Sequence, residues 1–366
     1  MIRIGLTSEH EVTYEILQNP GSGTQYSYTK PLANFLLSNN LKYFKNNDHD
    51  VLETHLFPII TKNKWIYNPA DAPSMATFNI FGQYLSRTTR LKLIKKLFLK
   101  NNFKKLIFKS YTGFKSLKTY TNWTDKRILN KTCVVYPAIR KINNKIKFNK
   151  KKINMLFVGR DFILKGGQQL ISSFQKLEKK FDNLKLTIIS DFCNRDSQFD
   201  PYNIKWNLKK RITDNKNTIF KFKVRREVLL KKYYPNSDIF IMPTLKDSFG
   251  FSLLEAQAFG LPIISTNCFA IPEIIEDNKS GLLIGIKDNK FYKDPNKFKN
   301  KNDKYIIPKS LNKKLTNGIY IKLKELIENP SLRKKLSRNA LKTARTKFSF
   351  KKRNKIMRKI YEESIH

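Results

Sequence analysis

Residues 239–255, IFIMPTLKDSFGFSLLE, join an apolar stretch to a second apolar stretch through a short polar segment. The first part predicts a buried strand over 239–242, and the second predicts a helix over 252–259. Gly250 stands just before the predicted helix, with one carboxylate, Asp247, ahead of it and another, Glu255, inside it. A strand that passes through such a loop into a helix is the repeating unit of a parallel α/β sheet.

The same alternation continues on both sides of this stretch. Strands are predicted at 155–158, 184–189 and 262–265, helices at 170–177 and 228–234, and three closing helices at 320–328, 332–348 and 351–364. Strands that alternate with helices predict a parallel sheet covered on both faces. The Lys- and Asn-rich segment 287–313 is predicted to be a solvated loop, and the polar stretch 141–152 a linker.

The first 140 residues have a weaker pattern. Strands are predicted at 1–6, 106–108 and 133–136, with a less certain strand at 56–60, and a helical pattern includes Leu32, Phe35 and Leu36. Residues 91–105 predict a basic amphipathic helix. The full length of 366 residues favours about two domains.

The formal net charge is +43, from 72 basic and 29 acidic residues. Such a charge favours nucleic acid, an anionic membrane surface or an anionic substrate as partner, but a compositional bias toward Lys and Asn explains much of it. Apolar residues beside lysines in 91–105 suit a helix lying on a membrane surface, and equally a core helix with solvated lysines.

Other compositional features argue against several classes of protein. No apolar run reaches the roughly 18 residues of a membrane span, and the first residues predict a strand rather than a signal peptide. Cys133, Cys193 and Cys268 are widely spaced and fit free thiols in a reducing compartment. We therefore expect a cytoplasmic protein, either free or peripheral at the membrane, without a metal site.

Three predicted strand ends carry residues suited to a phosphorylated ligand. Gly159 and Arg160 follow one strand and precede Lys165, so two cations could bind a diphosphate. Backbone amides of residues 250–252 would favour phosphate, and Glu255 could accept ribose hydroxyls. The alternatives are a glycine turn with solvated cations, a helix cap at Asp247 and a Glu255–lysine pair.

These pieces resemble, in order and spacing, the C-terminal domain of the glycosyl transferases group 1 (glycosyltransferase family 4). The resemblance covers residues 153–286 and comprises Val158-Gly159-Arg160 with Lys165-Gly166, Asp247-Ser248-Phe249-Gly250 through Glu255, Gly260-Leu261-Pro262, Ile271-Pro272-Glu273 and Ser280-Gly281-Leu282-Leu283. It implies a GT-B fold, an α/β architecture of two Rossmann-like lobes with parallel sheets facing a central cleft. Residues 1–140 would form the acceptor-side lobe, completed by a helix at 350–366, and residues 141–349 the donor lobe.

The resemblance also implies roles for individual residues. Arg160 and Lys165 would hold the donor diphosphate, and Asp247, where the family usually has Glu, would contact the sugar. Gly21 and Gly23 would form the loop of the first lobe that approaches donor and acceptor. The implied donor-binding set is Gly159, Arg160, Lys165, Val224, Arg225 (both through backbone to the base), Asp247, Phe249, Gly250, Phe251, Ser252 and Glu255 (to the ribose), with Arg160, Lys165 and Asp247 as the catalytic candidates.

The function implied is a retaining, metal-independent glycosyltransferase that needs no cofactor. It would move a hexose from a UDP- or GDP-sugar, or another nucleoside-diphosphate sugar, to a glycan or lipid-linked acceptor. Two other functions stay open: a catalytically degenerate GT-B scaffold, because Asp247 departs from the family, and a basic nucleic-acid-binding protein, because of the charge. Nucleic acid is not the expected partner, since the sequence has no RRM, KH, zinc-finger or helix-turn-helix signature.

Overall fold

The computed structural model describes residues 1–32, 40–45, 48–142, 152–191 and 196–366. Contacts between residues divide the chain into two compact units, Met1–Arg140 with Thr346–His366, and Lys141–Arg345. The sequence prediction placed its first boundary at the same point and its second four residues later. Phe35, Leu36, Cys193 and most of the predicted linker lie outside the described residues.

The first unit contains a six-stranded parallel sheet of order β2-β1-β4-β6-β7-β8, and β3 pairs with β5 in a separate parallel ribbon. Its elements are β1 (Ile2–Leu6), α1 (Glu11–Gln18), β2 (Thr24–Tyr28), β3 (Tyr43–Phe44), β4 (Val51–Thr54), β5 (Ile60–Thr61), β6 (Trp65–Tyr67), α2 (Ala72–Met75), α3 (Arg87–Phe98), β7 (Phe103–Phe108), α4 (Tyr111–Thr121), α5 (Lys126–Leu129) and β8 (Thr132–Val134).

The second unit contains another six-stranded parallel sheet, of order β11-β10-β9-β12-β13-β14. Its elements are β9 (Ile153–Val158), α6 (Gly167–Leu177), β10 (Leu184–Ser190), α7 (Lys205–Thr213), β11 (Thr218–Phe222), α8 (Arg226–Val228, continued by the π-turn Leu229–Tyr233), β12 (Ile239–Ile241), α9 (Phe251–Ala258), β13 (Ile263–Thr266), α10 (Ile271–Ile274), β14 (Leu282–Ile284), α11 (Lys290–Lys293), α12 (Lys309–Glu328) and α13 (Pro330–Thr346). The last helix of the chain, α14 (Phe350–Ile365), belongs to the first unit.

The sheet of the first unit is buried on both faces. Trp65 and Tyr67 of β6 pack into one hydrophobic cluster with α3, whereas Ile66 between them packs into a second cluster with α14. Successive side chains of a strand point to opposite faces, so a three-residue strand can serve both cores. The expected α/β architecture of two Rossmann-like lobes with parallel sheets is confirmed.

Helix α3 corrects the interpretation of the basic segment 91–105. The helix runs over Arg87–Phe98, and its apolar residues Ile94, Leu97 and Phe98 are all buried in the first unit's core. An apolar face that is already packed cannot enter a membrane interface. The core-helix alternative is therefore the correct one, and the membrane expectation loses this helix as its basis.

Several other segments also differ from the sequence predictions. Helix α1 and strands β2, β4, β6, β11 and β14 were not predicted, and residues 56–59 are not a strand. The segment 287–313 is not an open loop, because it contains α11, a 3₁₀ turn at Pro295–Phe298 and the start of α12. Phe291, only 4% exposed, fixes α11 to the rest of the unit. In the part of the chain that the structure describes, no helix has the length and apolar character needed to cross a membrane.

Candidate functional site

The residues predicted to bind the donor gather at the carboxyl edge of the second sheet. Because its strands are all parallel, β9, β10, β11 and β12 end at one edge, the usual ligand-binding edge of such sheets. Gly159 and Arg160 follow β9, Lys223 to Arg225 follow β11, and the loop with Asp247 follows β12.

Two helices begin at this edge, and each is preceded by a glycine with a positive φ. Gly166 (φ +79°) precedes α6, and Gly250 (φ +101°) precedes α9. A Cβ on Gly166 would lie 2.1 Å from the carbonyl oxygen of Pro243, so only glycine lets α6 start this close to the end of β12. Among the described residues no side chain caps either helix. The Gly167 N–H donates to the Phe162 carbonyl at 2.9 Å and the Leu253 N–H to the Gly250 carbonyl at 3.1 Å, so an anion would meet the other amides of each first turn.

Lys165 and Asp247 form an ion pair across this edge. The Lys165 ammonium lies 2.7 Å from a carboxylate oxygen of Asp247 and donates a second hydrogen bond to the carbonyl of Lys246 at 3.0 Å. Both side chains are about 15% exposed, at 14% and 15%. The other oxygen of Asp247 accepts the Phe249 N–H at 3.1 Å, so the carboxylate is fixed by both neighbours.

Arg160 is one of several exposed cations at this edge. Its side chain is 74% exposed, and its Nε lies 3.7 Å from Asp191, a carboxylate that directly follows β10. Asp191 in turn accepts the Asp161 N–H at 3.1 Å, and Asp161 has a positive φ of 60°. The guanidinium is therefore held loosely and can move to a ligand.

Glu255 is held inside the site by two partners that sequence patterns did not reveal. Arg226 Nε lies 2.6 Å from one carboxylate oxygen, and the buried Tyr234 hydroxyl donates to the other at 2.9 Å. The predicted alternative, a pair with a lysine, is thus replaced by an arginine. Each carboxylate oxygen keeps a further lone pair for a ligand hydroxyl.

The remaining members of the predicted set have supporting positions. Phe249 is buried at 1% exposure, and Ser252 donates from its hydroxyl to Met242 Sδ at 3.2 Å. Phe251 is the first residue of α9, and Val224 and Arg225 connect β11 to α8. Val224 and Arg225 thus lie at the same edge, and contact between their backbone and a base stays a prediction.

Cys268 lies behind the ion pair and is not a nucleophile. Its thiol is hydrogen bonded to Thr266 at 3.0 Å and to the carbonyl of Thr244 at 3.3 Å. Burial raises the pKa of the thiol to about 12, so it stays protonated. In the described ranges, no group of three or more His, Cys, Asp or Glu side chains could hold a metal ion.

The predicted glycine loop of the first unit lies at the wrong edge of its sheet. Gly21 and Gly23 connect α1 to the amino end of β2, beside Asn354 and Arg358 of α14. The loop that follows the carboxyl end of β1 is residues 7–10 instead. The prediction failed because α1 was not recognised between the first strand and the glycines.

The carboxyl edge of the first sheet contains a cavity of about 310 Å³. Residues that follow β1, β2 and β4 line it together with β3, among them Thr7, Glu9, Lys30 and Lys42, with Phe44 as part of an apolar wall. The wall is apolar and the rim carries both signs of charge, a composition suited to a polar ligand with one hydrophobic face.

Next to this edge lies a buried charged network centred on Glu53, the third residue of β4. His55 Nε2 is 2.8 Å and Arg353 of α14 is 3.5 Å from one of its oxygens, while the Tyr361 hydroxyl donates to the other. Burial alone would raise the pKa of Glu53, but His55 and Arg353 outweigh it and lower the pKa to about 2. The network attaches the last helix of the chain to the central strand of the first sheet.

Comparison with known proteins finds a family match in the second unit. Residues 138–313, a little under half of the chain, match the family described as "Glycosyl transferases group 1". The match covers the whole carboxyl edge of the second sheet.

Two individual relatives match part of the chain. The chain is 29% identical over 171 residues to an uncharacterized 41.2 kDa protein of the cps region of Klebsiella pneumoniae, covering 43% of each. It is 26% identical over 193 residues to the capsular polysaccharide biosynthesis glycosyltransferase CapM of Staphylococcus aureus, covering 53% of this chain and 41% of CapM. The aligned regions thus span less than half of each relative's length.

Solved structures resemble the chain over both units. Sucrose-phosphate synthase from Thermosynechococcus elongatus aligns with a TM-score of 0.65 at 12% identity, covering 99% of each chain. At this identity the likeness shows the fold, and the fold is GT-B.

Proposed function

We propose that this protein is a retaining glycosyltransferase of family 4 that moves a hexose from a nucleoside-diphosphate sugar to a glycan or lipid-linked acceptor. The observation that carries the proposal is the carboxyl edge of the second sheet, where Arg160, Lys165, Asp247 and Glu255 meet two uncapped helix starts. This arrangement provides separate contacts for diphosphate, sugar and ribose.

The diphosphate would lie between Arg160, Lys165 and the first amides of α6 and α9. Each helix start contributes a partial positive charge, and each cation a charge-assisted hydrogen bond. As the bond to the sugar breaks, negative charge accumulates on the leaving phosphate, and donors already in position stabilise it without reorganisation.

Asp247 would act on the sugar side of the same group. Its ion pair with Lys165 fixes the direction of both side chains before substrate enters. When the diphosphate engages Lys165, the carboxylate is left able to accept a hydroxyl of the hexose. Binding of the donor and orientation of the sugar are in this way coupled through one pair.

Glu255 would accept hydroxyls of the ribose. Arg226 donates to one of its oxygens and Tyr234 to the other, so the carboxylate is held in one orientation. The peptide groups of Val224 and Arg225, at the end of β11, would then meet the base. No protein nucleophile enters this scheme, because the leaving phosphate itself can help to activate the acceptor hydroxyl on the same face.

The acceptor would bind in the cavity of the first unit, since residues that follow three of its strands line it. A volume of about 310 Å³ accommodates one sugar ring. Phe44 and the neighbouring apolar wall would contact the hydrophobic face of the ring, while Glu9, Lys30 and Lys42 would contact its polar groups. The similarity to a capsular polysaccharide glycosyltransferase is consistent with a glycan acceptor.

A thermal-shift panel tests the proposal. The full chain is melted with UDP, GDP, ADP and the corresponding sugars, since a ligand that binds only the folded state raises Tm. We expect one nucleoside diphosphate and its sugars to raise Tm, and expect the sugar to be transferred with its anomeric configuration retained in an NMR assay. If no member of the panel raises Tm, the chain is a degenerate scaffold rather than an enzyme.

A further inference from the structure

A tight turn of the first unit places an aromatic residue in a backbone conformation that disfavours it. Phe81 (φ +47°) and Gly82 (φ +85°) are the central residues, and Ile80 and Gln83 exchange two backbone hydrogen bonds of 3.0 Å. Two successive positive φ angles within reciprocal hydrogen bonds are the pattern of a type I′ turn, for which Asn-Gly is the favoured sequence. Phenylalanine at the first position is strained.

Buried side chains of the same unit hold this turn in place. Asn40 Oδ1 accepts the Phe81 N–H at 2.9 Å, and Asn79 Oδ1 accepts the Gly82 N–H at 3.2 Å. The two asparagines are 3% and 4% exposed. These hydrogen bonds hold the strained turn in one conformation. The turn is therefore a rigid projection rather than a loose loop.

The projection presents apolar surface to the outside. Phe81 is 81% exposed, Tyr84 59% and Leu85 36%. Every residue from 81 to 89 is exposed to solvent. Large apolar side chains that are both clustered and solvent-exposed mark interaction sites more often than single exposed ones do.

The sequence that contains the projection is rich in basic residues. Between Asp71 and Asp125 the sequence contains no acidic residue. The same stretch contains eleven lysines and arginines. Arg90 lies 5.7 Å from the centre of the Tyr84 ring, and Arg87, at the start of α3, stacks 3.8 Å from that of Tyr120. On α3 itself Lys92 and Lys96 are exposed.

We propose that the turn 80–85 is a membrane anchor that inserts Phe81 into the surface of an anionic bilayer, while exposed cations of α3 contact lipid phosphates. The apolar tip fits the boundary of the acyl chains, and the exposed cations of α3 fit a negative leaflet. A single projecting tip favours lipid over single-stranded nucleic acid, which binds in charged grooves on several stacked aromatic rings. This anchor replaces the predicted amphipathic helix and does not depend on the proposed activity.

The substitution Phe81→Asn separates anchoring from folding. It creates Asn-Gly, which suits the turn, so Tm should stay the same or rise. Binding to vesicles of phosphatidylglycerol and phosphatidylcholine, measured by co-sedimentation, should fall about tenfold, the cost of losing one inserted aromatic side chain. The matched control is Phe222→Asn, at a 61% exposed phenylalanine of the second unit, which should leave binding unchanged.

A fluorescent reporter locates the contact. The described tryptophans Trp65 and Trp123 are buried, and Trp206 is 67% exposed, so Phe81→Trp is placed in a Trp206→Phe background. We expect its emission to shift to the blue with the anionic vesicles, less at high salt, and not with phosphatidylcholine alone. Unshifted emission, or equal vesicle binding by Phe81→Asn and wild type, overturns the proposal. So does a Phe81-dependent dimer in sedimentation velocity, or Phe81-dependent binding of single-stranded RNA without vesicle binding.

Discussion

Lys165 and Asp247 lie 82 residues apart in sequence, and their charged groups are 2.7 Å apart at the edge of the second sheet. One residue was predicted to bind phosphate and the other sugar, so the pair would join the two parts of the proposed donor site. A phosphate bound there would compete with Asp247 for Lys165.

The pair makes Asp247→Asn and Lys165→Ala behave oppositely toward a nucleoside diphosphate. Asp247→Asn releases Lys165 from its competitor, so affinity should stay the same or rise a few-fold, whereas sugar transfer should fall because the hexose loses its contact. Lys165→Ala should make the free energy of diphosphate binding less favourable by about 1.5–3 kcal/mol. Titration calorimetry and a transfer assay measure the two effects. Weaker diphosphate binding by Asp247→Asn would show that the aspartate does not compete.

Asp247→Glu restores the residue usual in the family. Transfer that survives or rises indicates that the position accepts either carboxylate, and transfer that is abolished indicates that aspartate is matched to a particular sugar. Unchanged turnover in both Asp247 variants would remove this residue from the donor site.

Arg160→Ala should weaken diphosphate binding without loss of stability. The side chain is 74% exposed with one loose ion pair, so little folding energy depends on it. Lys297→Ala is the matched control, because Lys297 is 79% exposed and lies 3.4 Å from Asp294. We expect Arg160→Ala to bind the nucleoside diphosphate roughly tenfold more weakly than wild type, and Lys297→Ala to bind it as tightly as wild type. Equal affinities of the two variants would place the diphosphate elsewhere.

Glu255→Ala should affect folding as well as binding. Removal of the carboxylate leaves Arg226 without its counter-charge in a site where both side chains are 15% exposed or less. Breaking such a pair typically costs about 3 kcal/mol. Urea unfolding measures this loss, with the exposed Glu227→Ala as the neutral control. Glu255→Gln, which keeps the shape, should retain more stability yet still bind nucleotide weakly. A fully stable Glu255→Ala would contradict the structural role.

Gly166→Ala should destabilise the second unit by about 2 kcal/mol or more. The positive φ and the carbonyl of Pro243, 2.1 Å from the new Cβ, both oppose alanine. Gly285→Ala is the control, since the nearest atom to its Cβ is a side-chain nitrogen at 3.8 Å. Denaturation midpoints of the two variants provide the comparison, and equal midpoints would show that α6 can shift.

The stability of the first unit should fall as the pH is lowered from 7 to 5. Burial and the neighbouring His55 lower the pKa of His10 from 6.5 to about 3. Between these two pH values the imidazole is protonated in the unfolded chain and neutral in the folded chain. Stability is thus complete above pH 6.5 and is lost progressively toward pH 3. His10→Asn keeps an acceptor for the Val12 N–H that His10 now caps at 3.1 Å, and it should flatten the Tm–pH curve. An unchanged slope would exclude His10 as the cause.

The donor-side residues could be predicted because they follow from local patterns. A strand, a glycine with free φ and a helix start are adjacent in sequence, so Gly166 and Gly250 mark two helix starts at the carboxyl edge of the second sheet. The roles of individual residues came from the resemblance to the family. The partners of Glu255 could not be predicted, since Arg226 and Tyr234 lie 29 and 21 residues before it in sequence and meet it only in the folded unit.

The first unit was less predictable for similar physical reasons. Helix α1 starts at a histidine cap with Thr13 as its reciprocal partner, an unusual capping box, and its omission misplaced Gly21 and Gly23. The Glu53 network joins residues more than 300 positions apart, from Glu53 to Tyr361. No local sequence pattern predicts such a contact.

The central claim is that a nucleoside diphosphate binds the carboxyl edge of the second sheet between the starts of α6 and α9. Amide hydrogen exchange of the full chain with and without the nucleotide that raises Tm tests it most directly. We expect slowed exchange in residues 159–168 and 249–255, and none of this protection in Lys165→Ala at the same nucleotide concentration. Protection confined to other segments, or protection of these two that persists in Lys165→Ala, would contradict it.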